Sequence, residues 1–197
     1  MEKQALKFYI GIDEVGRGPI AGPVTVCALL SCVGRSPREF DGIKDSKQLT
    51  EKGRERWYKK IRETRENKII NFSIISVSNK VIDKIGIVPA INLCVKNCLD
   101  KLQADPEETS VLLDGSLYAP KIYENQETII KGDEKEPLIA MASIVAKISR
   151  DWYMKNEVAQ KFPQYSFEKH KGYGTKQHYQ AIKEHGISEI HRRSFLK

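Results

Sequence analysis

Three apolar runs in this chain stop at an acid. "FYIGIDE" ends in Asp13 and Glu14, "VLLDG" reaches Asp114, and "IIKGD" reaches Asp133. Each run is short and rich in β-branched residues, as expected of a buried strand rather than a helix. Two further strand-like runs, residues 23–32 and "KIINFSIISVS", flank the first helical stretch. That stretch, "TEKGRERWYKKIRETREN", opens on Thr50 as a cap; a second, "IVPAINLCVKNCLDKLQ", carries Pro89 in its first turn; a third runs from about Glu136 to Gln160. Strands first and then alternation with helices predict an α/β layer fold: a mixed central sheet flanked by helices, with a helical extension at the C-terminal end.

In such a sheet, ligands gather beyond the strand ends, where loops converge on a rigid support. If the three acidic ends are neighbours, Asp13, Glu14, Asp114 and Asp133 share one pocket. Two carboxylates about 4 Å apart repel by roughly 4 kcal/mol at an effective dielectric of about 20. Divalent cations remove that penalty, and oxygen-only ligands suit Mg²⁺ or Mn²⁺. Successive strand side chains point to opposite faces, so Glu14 is expected to be leaving the pleat already. Taken singly, each acid is better explained as a cap or turn residue, the Asp114-Gly115 pair above all.

The net charge of +7 is concentrated at one end. Residues 1–146 hold 22 Lys+Arg against 21 Asp+Glu, whereas residues 147–197 hold 11 against 5. A basic wall of this kind faces water or a polyanion, and nucleic acid is the usual polyanion. On the third helical stretch Leu138, Met141, Val145, Ile148 and Trp152 form one stripe, predicted to face the core. Ser143, Lys147 and Arg150 fall nearly opposite and make a candidate phosphate track. Gly16 and Gly18 free the backbone around Arg17 for close approach to a ligand, and Tyr173, between glycines in "HKGYGT", can stack on a sugar or base.

Other chemistries lack their residues. No G-x-x-x-x-G-K-[ST] phosphate loop occurs, and the four cysteines form no C-x-x-C pair. The four histidines all lie in the basic C-terminal segment, away from the strand ends. The first residues lack signal-peptide architecture, and no apolar run approaches the ~20 residues that span a bilayer. The expectation is a cytoplasmic protein without a membrane segment, one domain over 1–197, with a core of about 7–160 and a basic helical segment of about 161–197.

"GIDEVGRGPIAGP", "DSKQL", "LLDG", "KGD", "ASIVAKISRD", "HKGYGT" and "HRRSF" together resemble, in order and spacing, the bacterial ribonuclease HII (type 2 ribonuclease H) family, from about residue 8 to 195. The resemblance implies a ribonuclease H-like fold and hydrolysis of the RNA strand of RNA–DNA hybrids. It also implies incision 5′ to single ribonucleotides in duplex DNA, by two-metal chemistry that leaves 3′-hydroxyl and 5′-phosphate ends. By that likeness Asp13, Glu14, Asp114 and Asp133 match the metal-binding carboxylates, with Asp133 preferred over Asp151 because "KGD" ends a strand. Gly16, Arg17 and Gly18 match the element that reads the ribose 2′-hydroxyl, and Tyr173 the tyrosine that packs on the neighbouring deoxyribose. Lys47, Ser143, Lys147 and Arg150 sit where relatives contact phosphate. The likeness implies a monomer that uses Mg²⁺ or Mn²⁺. Met141 departs from it, standing where a small residue is common. Two other readings share the electrostatics: a binding protein without catalysis, and another nuclease of the same superfamily such as a junction resolvase. Neither accounts for the Gly-Arg-Gly element together with Tyr173.

Overall fold

The computed structural model describes residues 6–32, 37, 40, 42, 43, 46 and 48–196. Lys47 lies outside these. Strands β1 (Phe8–Val15) and β2 (Val24–Ser31) form an antiparallel pair, and α1 (Glu51–Glu66) follows, its first turn capped by the Thr50 hydroxyl accepting the Gly53 N–H. Next come β3 (Ile70–Val77), α2 (Asn79–Ile85), α3 (Ile87–Leu102), β4 (Thr109–Asp114) and β5 (Gln126–Ile129). The chain ends in helices: α4 (Gly132–Lys135), α5 (Pro137–Tyr153), a π-helical turn (Met154–Val158), α6 (Ala159–Lys161), α7 (Phe167–His170) and α8 (Lys176–His185). Among the described residues, no helix is long and apolar enough to cross a membrane.

The five strands run in the order β3-β2-β1-β4-β5. β2 is antiparallel to both β1 and β3, while β4 is parallel to β1 and β5 to β4. Ile10, Ile12, Val111 and Leu113 pack with Cys94, Val95 and Leu99 of α3 on one face. Cys27, Leu29 and Phe72 pack with Leu138, Met141 and Val145 of α5 and Ile61 of α1 on the other. This is the mixed sheet between helical layers that the alternation predicts.

The third helical stretch departs from its two-faced reading. Every residue from Leu138 to Ala146 is buried, because α5 lies against β1 and β2 on one side and against α1 and neighbouring chain on the others. Trp152, the last member of the expected core stripe, is 57 % exposed. Beyond α5 a smaller cluster of Ala21, Met154, Val158, Tyr165, Phe167 and Ala181 joins the C-terminal helices to the chain that follows β1.

Candidate active site

In the parallel β1–β4 pairing Ile12 is opposite Leu113, so Asp13 and Asp114 stand next in line on adjacent strands. Their odd-even alternation against Ile12 and Leu113, which face α3, puts both acids on the α5 face. Asp13 is 4 % exposed. It accepts the Glu14 N–H at 2.7 Å and a hydrogen bond from Ser143 of α5. Burial, and after it the charges of Glu14 and Asp114, push its carboxyl well above the ordinary carboxylate range in spite of those bonds. Asp114 Oδ1 accepts the N–H groups of Gly132 at 2.7 Å and of Asp133 at 3.4 Å, which pins α4 to the end of β4.

Two expectations about the acids are corrected. Glu14 has not left the pleat: it pairs with Val26, and β1 continues through Val15. It therefore departs from the strand on the opposite face to Asp13 and stands 3.7 Å from the Arg17 guanidinium. Asp133 does not end a strand either. β5 stops at Ile129, Lys131 turns left-handed at φ 54°, and Asp133 sits buried in the helical turn that follows. Among the described residues, no three His, Cys, Asp or Glu side chains are already gathered as a metal-holding group. The acids share one end of the sheet without forming a finished coordination shell.

The loop after β1 is stitched from behind. Arg192, fully buried, donates to the carbonyls of Gly22 (2.9 Å), Arg17 (3.0 Å) and Gly16 (2.6 Å). Arg150 donates to Pro23 (2.8 Å), Lys171 (3.0 Å) and Ala21 (3.2 Å). Burial, then the nearby Arg150 charge, brings the Arg192 guanidinium down to about 9. The tail that carries Arg192 is itself moored to α2: Asn79 donates to the carbonyls of Glu189 and His191, and Asp83 accepts the N–H groups of Arg193 and Ser194. On the loop's other side, Ile20 and Ala21 donate to the Gly172 carbonyl. Arg17 points outward, its side chain 47 % exposed, with Nη1 3.2 Å from Ser116 Oγ. A Cβ built on Gly18 would meet Tyr173 Cε1 at 4.0 Å, so the Gly-Arg-Gly loop and the tyrosine ring are neighbours.

The phosphate-track assignments divide. Lys147 pairs with Asp151 at 2.9 Å and lines a cleft of about 300 Å³ with Arg54, Lys169, Lys171 and Tyr173. Ser143 and Arg150 are corrected: Ser143 is buried between Asp13 and the Ser46 hydroxyl at 2.8 Å, and the Arg150 guanidinium is spent on main-chain carbonyls. Arg192, Asn79 and Asp83 carry weight that sequence reasoning did not give them. The only signal was the adjacent pair of arginines in "HRRSF", since α2 is too short to show a period.

Three of the four histidines are buried together. His170 and His178 stack with ring centroids 4.3 Å apart, and His178 Nε2 lies 2.9 Å from His191 Nε2. Burial holds all three below the ordinary histidine range, His178 at about 4. A histidine depressed in the folded state takes up its proton more readily once unfolded, so its contribution is full above about pH 6.5 and is lost as pH falls toward about 4. For His178 the loss amounts to roughly 3 kcal/mol. The melting-temperature advantage of the native chain over His178→Asn, which does not titrate, is therefore expected to be largest near pH 7.5 and to shrink on acidification. The raised Asp13 carboxyl acts in the opposite sense but is common to both proteins and cancels in the difference. An advantage independent of pH would show that His178 is not held neutral.

A mixed sheet in this order, with aspartates at the ends of its two adjacent parallel strands and a helix laid across them, is the ribonuclease H-like fold. The ribonuclease HII family model matches residues 10–197. Ribonuclease HII of Caldicellulosiruptor bescii is 46% identical over 194 residues, covering 98% of this chain and 89% of its own. The chain belongs to the ribonuclease HII family, enzymes that cleave RNA in RNA–DNA hybrids. Among solved structures, the ribonuclease HII of Archaeoglobus fulgidus, determined in a complex with PCNA, superposes with a TM-score of 0.75 at 25% identity, covering 94% of each chain. Bst ribonuclease HIII, determined with Mn²⁺, shares the fold at a TM-score of 0.68 and 18% identity, over 99% of this chain and 68% of its own.

Proposed function

We propose that this chain incises duplex DNA on the 5′ side of single embedded ribonucleotides, as well as cleaving longer RNA–DNA hybrids, and leaves 3′-hydroxyl and 5′-phosphate ends. The observation that carries this reading is the meeting of Glu14, Arg17, Gly18 and Tyr173 at one end of the sheet: Arg17 lies 3.7 Å from the strand-end carboxylate, and the Tyr173 ring lies against Gly18. A ribose held by the loop and a deoxyribose packed on the ring would set the intervening phosphate over the acids.

The donor set fits divalent ions. Asp13, Glu14, Asp114 and Asp133 offer oxygen alone, and the Asp13 carboxyl is displaced upward first by burial and then by the charges of Glu14 and Asp114, which a bound cation would offset. These four would hold Mg²⁺ or Mn²⁺. Two such ions supply a water of lowered pKa for in-line attack and a counter-charge for the departing 3′ oxygen. The protein's own contribution is orientation. Ser143 and the Glu14 N–H fix Asp13, the α4 amides fix Asp114, and Arg150 and Arg192 fix the loop that presents Arg17. The Lys147–Lys171 cleft continues the path for the phosphate backbone beyond Tyr173. The protein acts in this reading as a cytoplasmic monomer, a single ribonuclease H-like domain with a basic C-terminal segment.

The test is incubation with a DNA duplex containing one ribonucleotide, with Mg²⁺, with Mn²⁺ and with chelator, beside an all-DNA duplex. Metal-dependent incision 5′ to the ribonucleotide with the control intact is expected. Tight binding without a cut would favour a binding module, and cleavage of both duplexes would remove Arg17 from the reading of the sugar.

A further inference from the structure

The buried histidines are joined to the tyrosine by a chain of hydrogen bonds whose directions are fixed by chemistry. A carbonyl oxygen only accepts, so His178 Nδ1, 2.9 Å from the Tyr173 carbonyl, bears the proton. A backbone N–H only donates, so His191 Nδ1, 2.9 Å from the Ser188 N–H, is bare, and its proton is on Nε2. That proton is directed at the unprotonated Nε2 of His178, 2.9 Å away. The same logic gives His170 a bare Nδ1 accepting the Gly172 N–H at 3.2 Å and a protonated Nε2 donating to the Tyr165 carbonyl at 2.8 Å. The Tyr173 carbonyl is thus held by the His178 ring and the Gly172 N–H by the His170 ring, while the Tyr173 N–H donates to the His170 main-chain carbonyl at 2.9 Å; the two rings are stacked on one another.

The ring of Tyr173 is 42 % exposed, approaches Gly18 and lines the basic cleft with Lys147 and Lys171. Its direction is set by its backbone. Gly172, at φ +89°, leaves no room for a side chain, because a Cβ there would come 2.4 Å from the Ala21 carbonyl oxygen. The main chain on the N-terminal side is therefore fixed by the loop after β1, and on the C-terminal side by His178 together with the Thr175 N–H, which also donates to the Tyr173 carbonyl at 2.9 Å.

We propose that His178 is a positioning residue for substrate recognition, acting through its Nδ1–H on the Tyr173 carbonyl to aim the tyrosine ring at the sugar beside the scissile phosphate. His191 sets the tautomer that makes this donation possible. The inference rests on the role given to Tyr173 above.

A matched pair of amides separates positioning from packing. In His178→Asn the side-chain amide can place an N–H near the Nδ1 position and keep the bond to Tyr173; in His178→Gln the amide reaches the Nε2 position and keeps the partner of His191 instead. Measured below the melting temperature of both, His178→Gln is expected to lose about tenfold in kcat/KM on the single-ribonucleotide duplex, while His178→Asn stays within about twofold of the native chain. In a Tyr173→Ala background His178→Gln is expected to cost nothing further, because the ring it aims is gone. Equal losses in the two variants, or full additivity with Tyr173→Ala, would overturn the positioning role while leaving the functional reading intact. A native enzyme that does not incise at the ribonucleotide, or is indifferent to Tyr173→Ala, would remove that reading and the inference with it. Should neither amide variant fold, the ¹⁵N shifts of the His178 ring in the native protein decide: a protonated Nδ1 upholds the proposal, and a protonated Nε2 with bare Nδ1 refutes it.

Discussion

Asp13→Asn is expected to lose at least about a thousandfold in turnover, a barrier increase of roughly 4 kcal/mol, while still binding the ribonucleotide-containing duplex. The substitution should also raise the melting temperature. Asp13 is buried, and its carboxyl is displaced upward by burial and by the charges of Glu14 and Asp114. An amide of the same shape can still accept the Glu14 N–H that now lies 2.7 Å from Oδ1. It removes one of the mutually repelling charges, so a gain of at least about 2 °C at pH 7.5 in chelator is expected, given that 1 kcal/mol moves a domain of this size by roughly 2–4 °C. Added Mg²⁺ should stabilise the native protein more than the variant. Turnover near the native level would remove Asp13 from the site. A fall in melting temperature would mean that its charge is already compensated within the protein.

The second large effect concerns Gly16. Its φ is +90°, and a Cβ would lie 2.3 Å from Arg150 Nε and 2.8 Å from both Arg150 Cδ and the Pro23 carbonyl. Arg150 cannot yield, because its guanidinium is tied to three carbonyls on two segments. Gly16→Ala is therefore expected to cost about 3 kcal/mol or more, seen as a fall of roughly 6–12 °C in melting temperature. Displacing the loop should lower kcat/KM at the ribonucleotide about a hundredfold or more. Gly18→Ala is the contrasting case, with Tyr173 Cε1 at 4.0 Å as the nearest neighbour of its added carbon. It should leave the melting temperature within about 1 °C of native and affect incision alone. Equal thermal effects in the two variants would refute the account of the loop's support.

The placing of Asp13 and Asp114 at neighbouring strand ends was legible because its signals are local. Adjacent carboxylates, a glycine-flanked arginine and short β-branched runs can be read from neighbours in the chain, and the layer order follows from their alternation with helices. What failed depends on contacts made at a distance. A 3.6-residue period distinguishes two sides of α5 but not solvent from a covering segment. Ser143 and Arg150 therefore read as outward-facing, although Ser46 and the loop after β1 cover that side. Asp133 reads as a strand end because nothing in "IIKGD" announces the left-handed turn at Lys131. The histidines looked remote from the strand ends in sequence, yet their stack forms only when α7, α8 and the tail pack around Tyr165 and Phe167.

The stitching of the first loop by Arg192 also imposes a timetable on biosynthesis. Gly16 emerges from the ribosome 176 residues ahead of the guanidinium that holds its carbonyl. At typical elongation rates of about 5–20 residues per second, that interval is roughly 9–35 s. During it β1 can pair with β2 and the acids can take their places, while the loop beside them still lacks its support. On the function proposed above, the nascent chain would acquire its strand-end acids before the support of the loop that presents Arg17, and would become able to discriminate among phosphates only when translation has passed Arg192.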